Sequence, residues 1–185
     1  MRILIADDES IIRMGLKGML NEMGHEVVAA RNGREAIQMA QRHQPDLAIL
    51  DIKMPYTDGL QAAKTISHNQ TIPILLLTAF SEQDLIEKAT DLPIQGYLIK
   101  PIKPEELTAA IAIASKRHED VLTLQQRANK LEDALATRKL IDRAKGKLMA
   151  GGLSEEEAYR TIQQCARDGR QSMRQATLAI LKQKP

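Results

Sequence analysis

Five short apolar runs return at near-even intervals over the first hundred residues: ILIA (3–6), EVVAA (26–30), LAIL (47–50), ILLL (74–77) and GYLI (96–99). Between them the apolar residues fall at helical spacing: Ile11/Ile12, Leu16 and Met19/Leu20; Ala36 and Met39/Ala40; Leu60, Ala63 and Ile66; Leu85/Ile86 and Ala89. A strand that is apolar without alternation is covered on both faces, and strands that alternate with helices form a parallel sheet. The punctuation agrees. Gly24 closes the first helix, Pro45 precedes the third run, Pro73 opens the fourth, and Pro93 stops a helix ahead of the fifth. The expected fold class is α/β, a doubly wound five-stranded parallel sheet, in a domain spanning 1–118.

In such sheets ligands bind beyond the carboxyl ends of the strands, where strand order reverses. The polar residues that follow the runs are Asp7 and Asp8, then Asp51, then Thr78, and finally Lys100 with Pro101. Each alone reads as a cap or a loop polar. Together they put three carboxylates, a hydroxyl and an ammonium on one rim. Adjacent carboxylates repel and raise one another's pKa, so Asp7 and Asp8 are expected to share a cation.

No apolar stretch approaches the ~20 residues that span a bilayer, and the short run before Asp7 is no signal-peptide h-region. Neither a membrane partner nor a signal peptide is expected. One cysteine, Cys165, excludes an internal disulfide and fits a reducing cytoplasm. Charge is uneven: residues 1–119 hold 13 Lys and Arg against 16 Asp and Glu, residues 120–185 hold 13 against 8. A basic tail points to a polyanionic partner.

The pieces ADDE (6–9), LDIKMP (50–55), LTA (77–79) and YLIKP (97–101), in order and at strand ends, resemble the receiver domain of two-component response regulators, which is flavodoxin-like. The resemblance implies that Asp51 is the phosphoacceptor for a sensor histidine kinase. It implies that Asp7, Asp8, Asp51 and the backbone carbonyl of Lys53 hold Mg²⁺, and that Thr78 and Lys100 contact the phosphoryl group. Mg²⁺ takes a few carboxylates plus substrate oxygens and water, which suits that donor set. Phosphoryl transfer needs mainly positioning and charge neutralisation, and the resemblance implies a signalling regulator rather than an enzyme. Thr78 and Tyr97 are the implied switch. They would carry the roughly −1.5 to −2 added charge to the helix before the fifth strand, that strand, and the helix after it. Leu92-Pro93 stands where many receivers have Gly-Ala, which implies a differently shaped end to the preceding helix. Lys53 and Phe80 flank the rim and are expected to govern access of water to the aspartyl phosphate.

From Pro104 no break is visible until Gly146. Pro104-Glu105-Glu106 is a favourable first turn. Positions 107, 110, 114, 117, 121, 124, 128, 131, 135 and 138 read Leu, Ala, Ala, Arg, Val, Leu, Ala, Leu, Leu, Arg. This is a thin coiled-coil seam, so a linker helix over 119–135, continuing from about 104, is expected to form a switchable homodimer. Packing of the same stripe within the chain is the alternative.

Residues 136–185 read as a small three-helix domain. Gly151-Gly152 ends one helix, Ser154 with Glu157 caps the next, and Asp168-Gly169 separates it from a last helix near Gln171 to Lys182. Leu131, Ala134-Leu135, Arg138, Ile141, AKGKLM (144–149), LSEEEAY (153–159), Ala166-Arg167 and ATLAIL (176–181) resemble the ANTAR output domain of transcription antitermination regulators. The resemblance implies binding to RNA hairpins in leader transcripts. Arg138, Arg143, Lys145, Lys147, Arg167 and Arg170 could line a surface for phosphates, with Gly146 allowing the RNA backbone to come close. Tyr159, the lone aromatic of this region, is read as a core residue. Two other classes stay open: a DNA-binding response regulator, in which helix–DGR–helix acts as a helix-turn-helix, and an adaptor that docks a helical protein.

Overall fold

The computed structural model describes residues 1–79 and 92–182. Among them are strands β1 (Arg2–Ala6), β2 (Glu26–Ala30), β3 (Leu47–Asp51), β4 (Ile74–Thr78) and β5 (Gly96–Ile99). The helices are α1 (Ser10–Glu22), α2 (Gly33–His43), α3 (Gly59–Asn69), α4 (Pro104–Ala150), α5 (Glu155–Asp168) and α6 (Met173–Lys182). The apolar runs are the strands, and the sheet is parallel in the order β2-β1-β3-β4-β5. Strand order reverses between β1 and β3. The helix expected through Leu85, Ile86 and Ala89 lies outside the described residues, as does Phe80.

Two compact units divide the chain, Met1–Val121 and Leu122–Pro185. In the first, strand pleating sends alternate residues to opposite faces. Leu4, Ala48, Leu50 and Leu76 pack with Ala36 and Ala40 of α2 and Ala63 and Ile66 of α3. Ile3, Ile5, Ile49 and Leu77 pack with Leu16 and Leu20 of α1, and with Leu107, Ile111 and Ala114 of α4. Burying each Leu or Ile side chain contributes about 1.5–3 kcal/mol. Helix ends follow local chemistry. Gly24 takes φ +80° just past α1, and the Asn32 and Asp58 side chains accept the Glu35 and Gln61 N–H groups as N-caps. The Lys100-Pro101 peptide is cis.

The expected coiled-coil seam is divided. Leu107, Ala110 and Ala114 belong to the sheet core of this chain, and Arg117 donates to the Gln95 carbonyl at 3.1 Å. Spacing of three and four marks an apolar face without saying what covers it. Further along, Val121, Leu124, Leu131 and Leu135 are exposed.

In the second unit the end of α4 packs with α5 and α6 around Ala144, Ile162 and Ile180. Gly146 does not interrupt α4, which runs on to Ala150, four residues beyond the expected break. The capping box is complete, with the Ser154 hydroxyl accepting the Glu157 N–H and the Glu157 carboxylate accepting the Ser154 N–H. The last helix starts at Met173.

Gly59 is required by packing. A Cβ there would run into the Asp51 carbonyl, and the Gly59 N–H donates to Ile52 O at 2.9 Å. Gly15 of α1, by contrast, faces open space. Gly59→Ala is therefore expected to lower stability by about 1–3 kcal/mol. Gly15→Ala is expected to raise it by about 0.5–1 kcal/mol. Urea unfolding of the two variants checks both signs.

Candidate functional site

The reversal of strand order between β1 and β3 sets Asp7, just past β1, beside Asp51, the last residue of β3. Carboxylate oxygens of Asp7, Asp8 and Asp51 all lie within 4.8 Å of one another, with Asp7 and Asp51 buried and Asp8 exposed. Backbone contacts hold the turn in place. The Glu9 N–H donates to Asp7 Oδ1 at 2.8 Å. The Arg13 guanidinium reaches back from α1 to the carbonyls of Asp7 (2.7 Å) and Asp8 (2.9 Å). Arg13 was missed in the sequence, although an arginine one turn into the helix that follows an acidic turn is a readable signal.

Lys100 follows β5, two strands away from Asp51, and its stem spans the end of β4. Its ammonium sits 2.7 Å from Asp7 Oδ2, 2.7 Å from Asp51 Oδ1 and 3.9 Å from Glu9 Oε1, with 18% of the side chain exposed. Asp7 Oδ2 is buried with no well-aligned donor, so its link to Lys100 is an ion pair by distance. Burial lowers the Lys100 pKa, but the close carboxylates of Asp51 and Asp7 outweigh it and hold the group above its ordinary value. An all-oxygen donor set of three carboxylates suits a hard divalent cation such as Mg²⁺.

Thr78 ends β4, is buried, and its hydroxyl donates to the Ala79 carbonyl at 3.0 Å. Tyr97 on β5 is partly exposed, and burial of the rest of the ring raises its phenol pKa. Lys53 is exposed and, with Asp8, Met54, Pro55 and Asp58, lines a hollow of about 400 Å³.

The basic residues of the second unit separate into two groups. Arg138, Arg143, Arg167 and Arg170 are exposed. Arg138 and Arg143 are five positions apart, about 140° around a helix of 3.6 residues per turn, so they do not share a face. Lys145 pairs with Glu155 at 2.5 Å and with Asp142 at 3.9 Å. Its pKa is raised, chiefly by the hydrogen bond to Glu155. Lys147 donates to the carbonyls of Ile180 (3.2 Å) and Leu181 (3.4 Å) at the end of α6, where a cation opposes the negative end of the helix dipole. Both lysines thus have partners within the unit. Gly146 is exposed, with open space where a Cβ would stand. Tyr159, expected in the core, is 41% exposed. On α5 it lies about 100° from Ala158 but only about 20° from Ala166, at the margin of the buried stripe.

Two family models match this chain: the response regulator receiver domain over residues 3–112, and the ANTAR domain over residues 129–181. The chain belongs to the response-regulator family. It is 43% identical over 182 residues to the transcriptional regulatory protein PdtaR of Mycobacterium tuberculosis, an alignment covering 97% of this chain and 89% of that protein. A probable transcriptional regulator ycf27 of Pyropia yezoensis is 36% identical over 66% of this chain and 50% of its own length. Among solved structures, a receiver domain protein of Clostridium thermocellum superposes with a TM-score of 0.61 at 28% identity, covering 65% of this chain and 98% of that one. The receiver (REC) domain of AraT from Geobacillus stearothermophilus gives 0.59 at 34% identity, covering 65% and 97%. Among the described residues of this response regulator, no helix is long and apolar enough to cross a membrane.

The raised pKa of Lys100 fixes a sign for the pH dependence of the receiver domain. A group whose folded pKa exceeds its unfolded value stabilises fully below the unfolded value, about 10.4 for lysine. That contribution is lost as pH rises through the folded value. In chelator-containing buffer, the stability difference between wild type and Lys100→Met is therefore expected to hold constant below about pH 9 and to shrink on moving toward pH 11. Urea unfolding across that range reads it.

Proposed function

We propose that this response regulator is phosphorylated on Asp51 by a sensor histidine kinase, and that phosphorylation controls binding of its ANTAR domain to RNA hairpins in leader transcripts, causing transcription antitermination. The observation that carries the reading is the rim on a chain that also holds an ANTAR domain. A buried Asp51 carboxylate lies 2.7 Å from the Lys100 ammonium and within 4.8 Å of two further carboxylates.

In the transfer, an Asp51 oxygen attacks the phosphorus of a donor phosphohistidine. The P–O bond forms as the P–N bond breaks, and the imidazole leaves with the electron pair. Asp7, Asp8, Asp51 and the Lys53 carbonyl would hold Mg²⁺, whose chemistry here is to neutralise charge on the carboxylates and phosphoryl oxygens. Lys100 then trades its carboxylate contact for a phosphoryl oxygen, and the small Ala79 leaves room for that group. The Thr78 hydroxyl turns from the Ala79 carbonyl to the new acceptor, and Tyr97 moves inward behind it. Lys53 and Phe80 govern the approach of water, and so the lifetime of the acyl phosphate.

The exposed stripe of Val121, Leu124, Leu131 and Leu135 supports dimerisation through α4 in the phosphorylated state. Two linked ANTAR domains gain affinity for paired hairpins through effective concentration, without new contacts. The exposed Arg138, Arg143, Arg167 and Arg170, with Gly146, are the proposed RNA contacts. Lys145 and Lys147 would act by holding the unit together.

Asp51→Asn is expected to accept no phosphoryl group from a kinase or small-molecule donor, read by intact-protein mass spectrometry. Leu131→Glu with Leu135→Glu is expected to keep the phosphorylated protein monomeric, read by solution mass. Gel shifts with hairpin RNA and duplex DNA, with and without phosphorylation, test the whole reading. Preference for the hairpin that strengthens on phosphorylation is expected, and equal binding to duplex DNA would overturn it.

A further inference from the structure

Tyr159 has a setting that a core residue does not need. Two hollows of the second unit meet at this side chain. One, of about 620 Å³, is lined by Thr137, Arg138, Asp142, Lys145 and Met173 among others. The other, of about 470 Å³, is lined by Lys145, Glu155 and Glu156. Volumes of this order hold small organic ligands. The ring is a wall common to both, on a surface with no other aromatic residue.

The charges say what kind of group fits. Lys145 is already neutralised by Glu155 and Asp142, and Asp133 also borders the larger hollow. A phosphate would meet carboxylates there and a lysine already paired. A neutral heterocycle would meet the Tyr159 side chain, carboxylate and hydroxyl acceptors for its N–H groups, and Arg138. Unpaired bases stack on aromatic side chains and arginine planes, and their edges are read by such acceptors and donors.

We propose that the groove between the end of α4 and α5 is a base pocket, in which Tyr159 stacks on one unpaired base of an RNA loop while Arg138, Thr137 and Asp142 read its edge. This rests on the RNA-binding reading and adds to it a division of labour. The groove selects the base, and exposed arginines elsewhere on the unit, such as Arg143, meet phosphates.

The test uses the full chain, activated with a beryllium fluoride phosphoryl mimic in Mg²⁺, and a library of RNA hairpins with randomised loops. Hairpins enriched by the wild type are bound to Tyr159→Phe, Tyr159→Leu and Arg143→Ala over a range of salt. Tyr159→Leu keeps an apolar side chain at the position, and thermal melting confirms that each variant is folded. Tyr159→Phe is expected to bind within about threefold of wild type. Tyr159→Leu is expected to lose about 10- to 100-fold and the preference at one loop position, with an unchanged salt slope. Arg143→Ala is expected to flatten the salt slope and keep the loop preference. A 2-aminopurine at the preferred position should be quenched by wild type and Tyr159→Phe, but not by Tyr159→Leu. The pocket is overturned if Tyr159→Leu keeps the loop preference and affinity, or if Tyr159→Phe falls as far as Tyr159→Leu. Failure of the wild type to enrich any hairpin overturns the RNA-binding reading itself, and the pocket with it.

Discussion

The ammonium of Lys100 lies between two carboxylates that come from different strands, and the receiver rim depends on that arrangement. Asp7 and Asp51 are buried side by side because β1 and β3 are neighbours, with Asp8 adding a third negative charge at the edge. In a medium less polarisable than water such crowding is costly unless a cation intervenes. Lys100 supplies one charge from beyond β4. The rest of the rim follows from it. Arg13 secures the acidic turn from below, and Gly59 lets the loop after β3 close against the Asp51 carbonyl. On the proposed reading, a phosphoryl group or a divalent ion arriving there would compete with an ion pair already made.

Helix α4 shows how one sequence pattern can serve two ends. Its first apolar positions, Leu107 and Ala114, complete one face of the sheet, while Leu124, Leu131 and Leu135 continue the same spacing with nothing covering them among the described residues. The transition falls near Arg117 and His118, which bond to the carbonyls of Gln95 and Thr71. Polar side chains interrupt the stripe where the apolar face changes its surroundings.

The five strands were legible because continuous apolar runs between helical stretches have few other uses, and the rim was legible because the strand ends carry its residues. Asp51 and Thr78 needed only the observation that each follows an apolar run. Arg13 was missed because it acts through backbone carbonyls, although its place one turn into the helix that follows an acidic turn could have flagged it. In the ANTAR domain the basic composition was visible, but its division was not. Lys145 and Lys147 look like Arg143 in the sequence and differ only in having an acidic partner or a helix end within reach. Tyr159 was misplaced because it stands at the margin of the α5 stripe, about 20° from buried Ala166, where helical spacing does not say which side chains are covered.

By itself the sequence determined the alternation of strands and helices, the order of the domains and the identity of the groups at the strand ends, because these depend on local periodicity and on neighbours along the chain. Tertiary structure decided which charges meet, which half of the long stripe is covered, and which lysines are already engaged. Those outcomes turn on distances between residues far apart in the chain, such as Lys100 and Asp7, and a one-dimensional pattern holds no record of such distances.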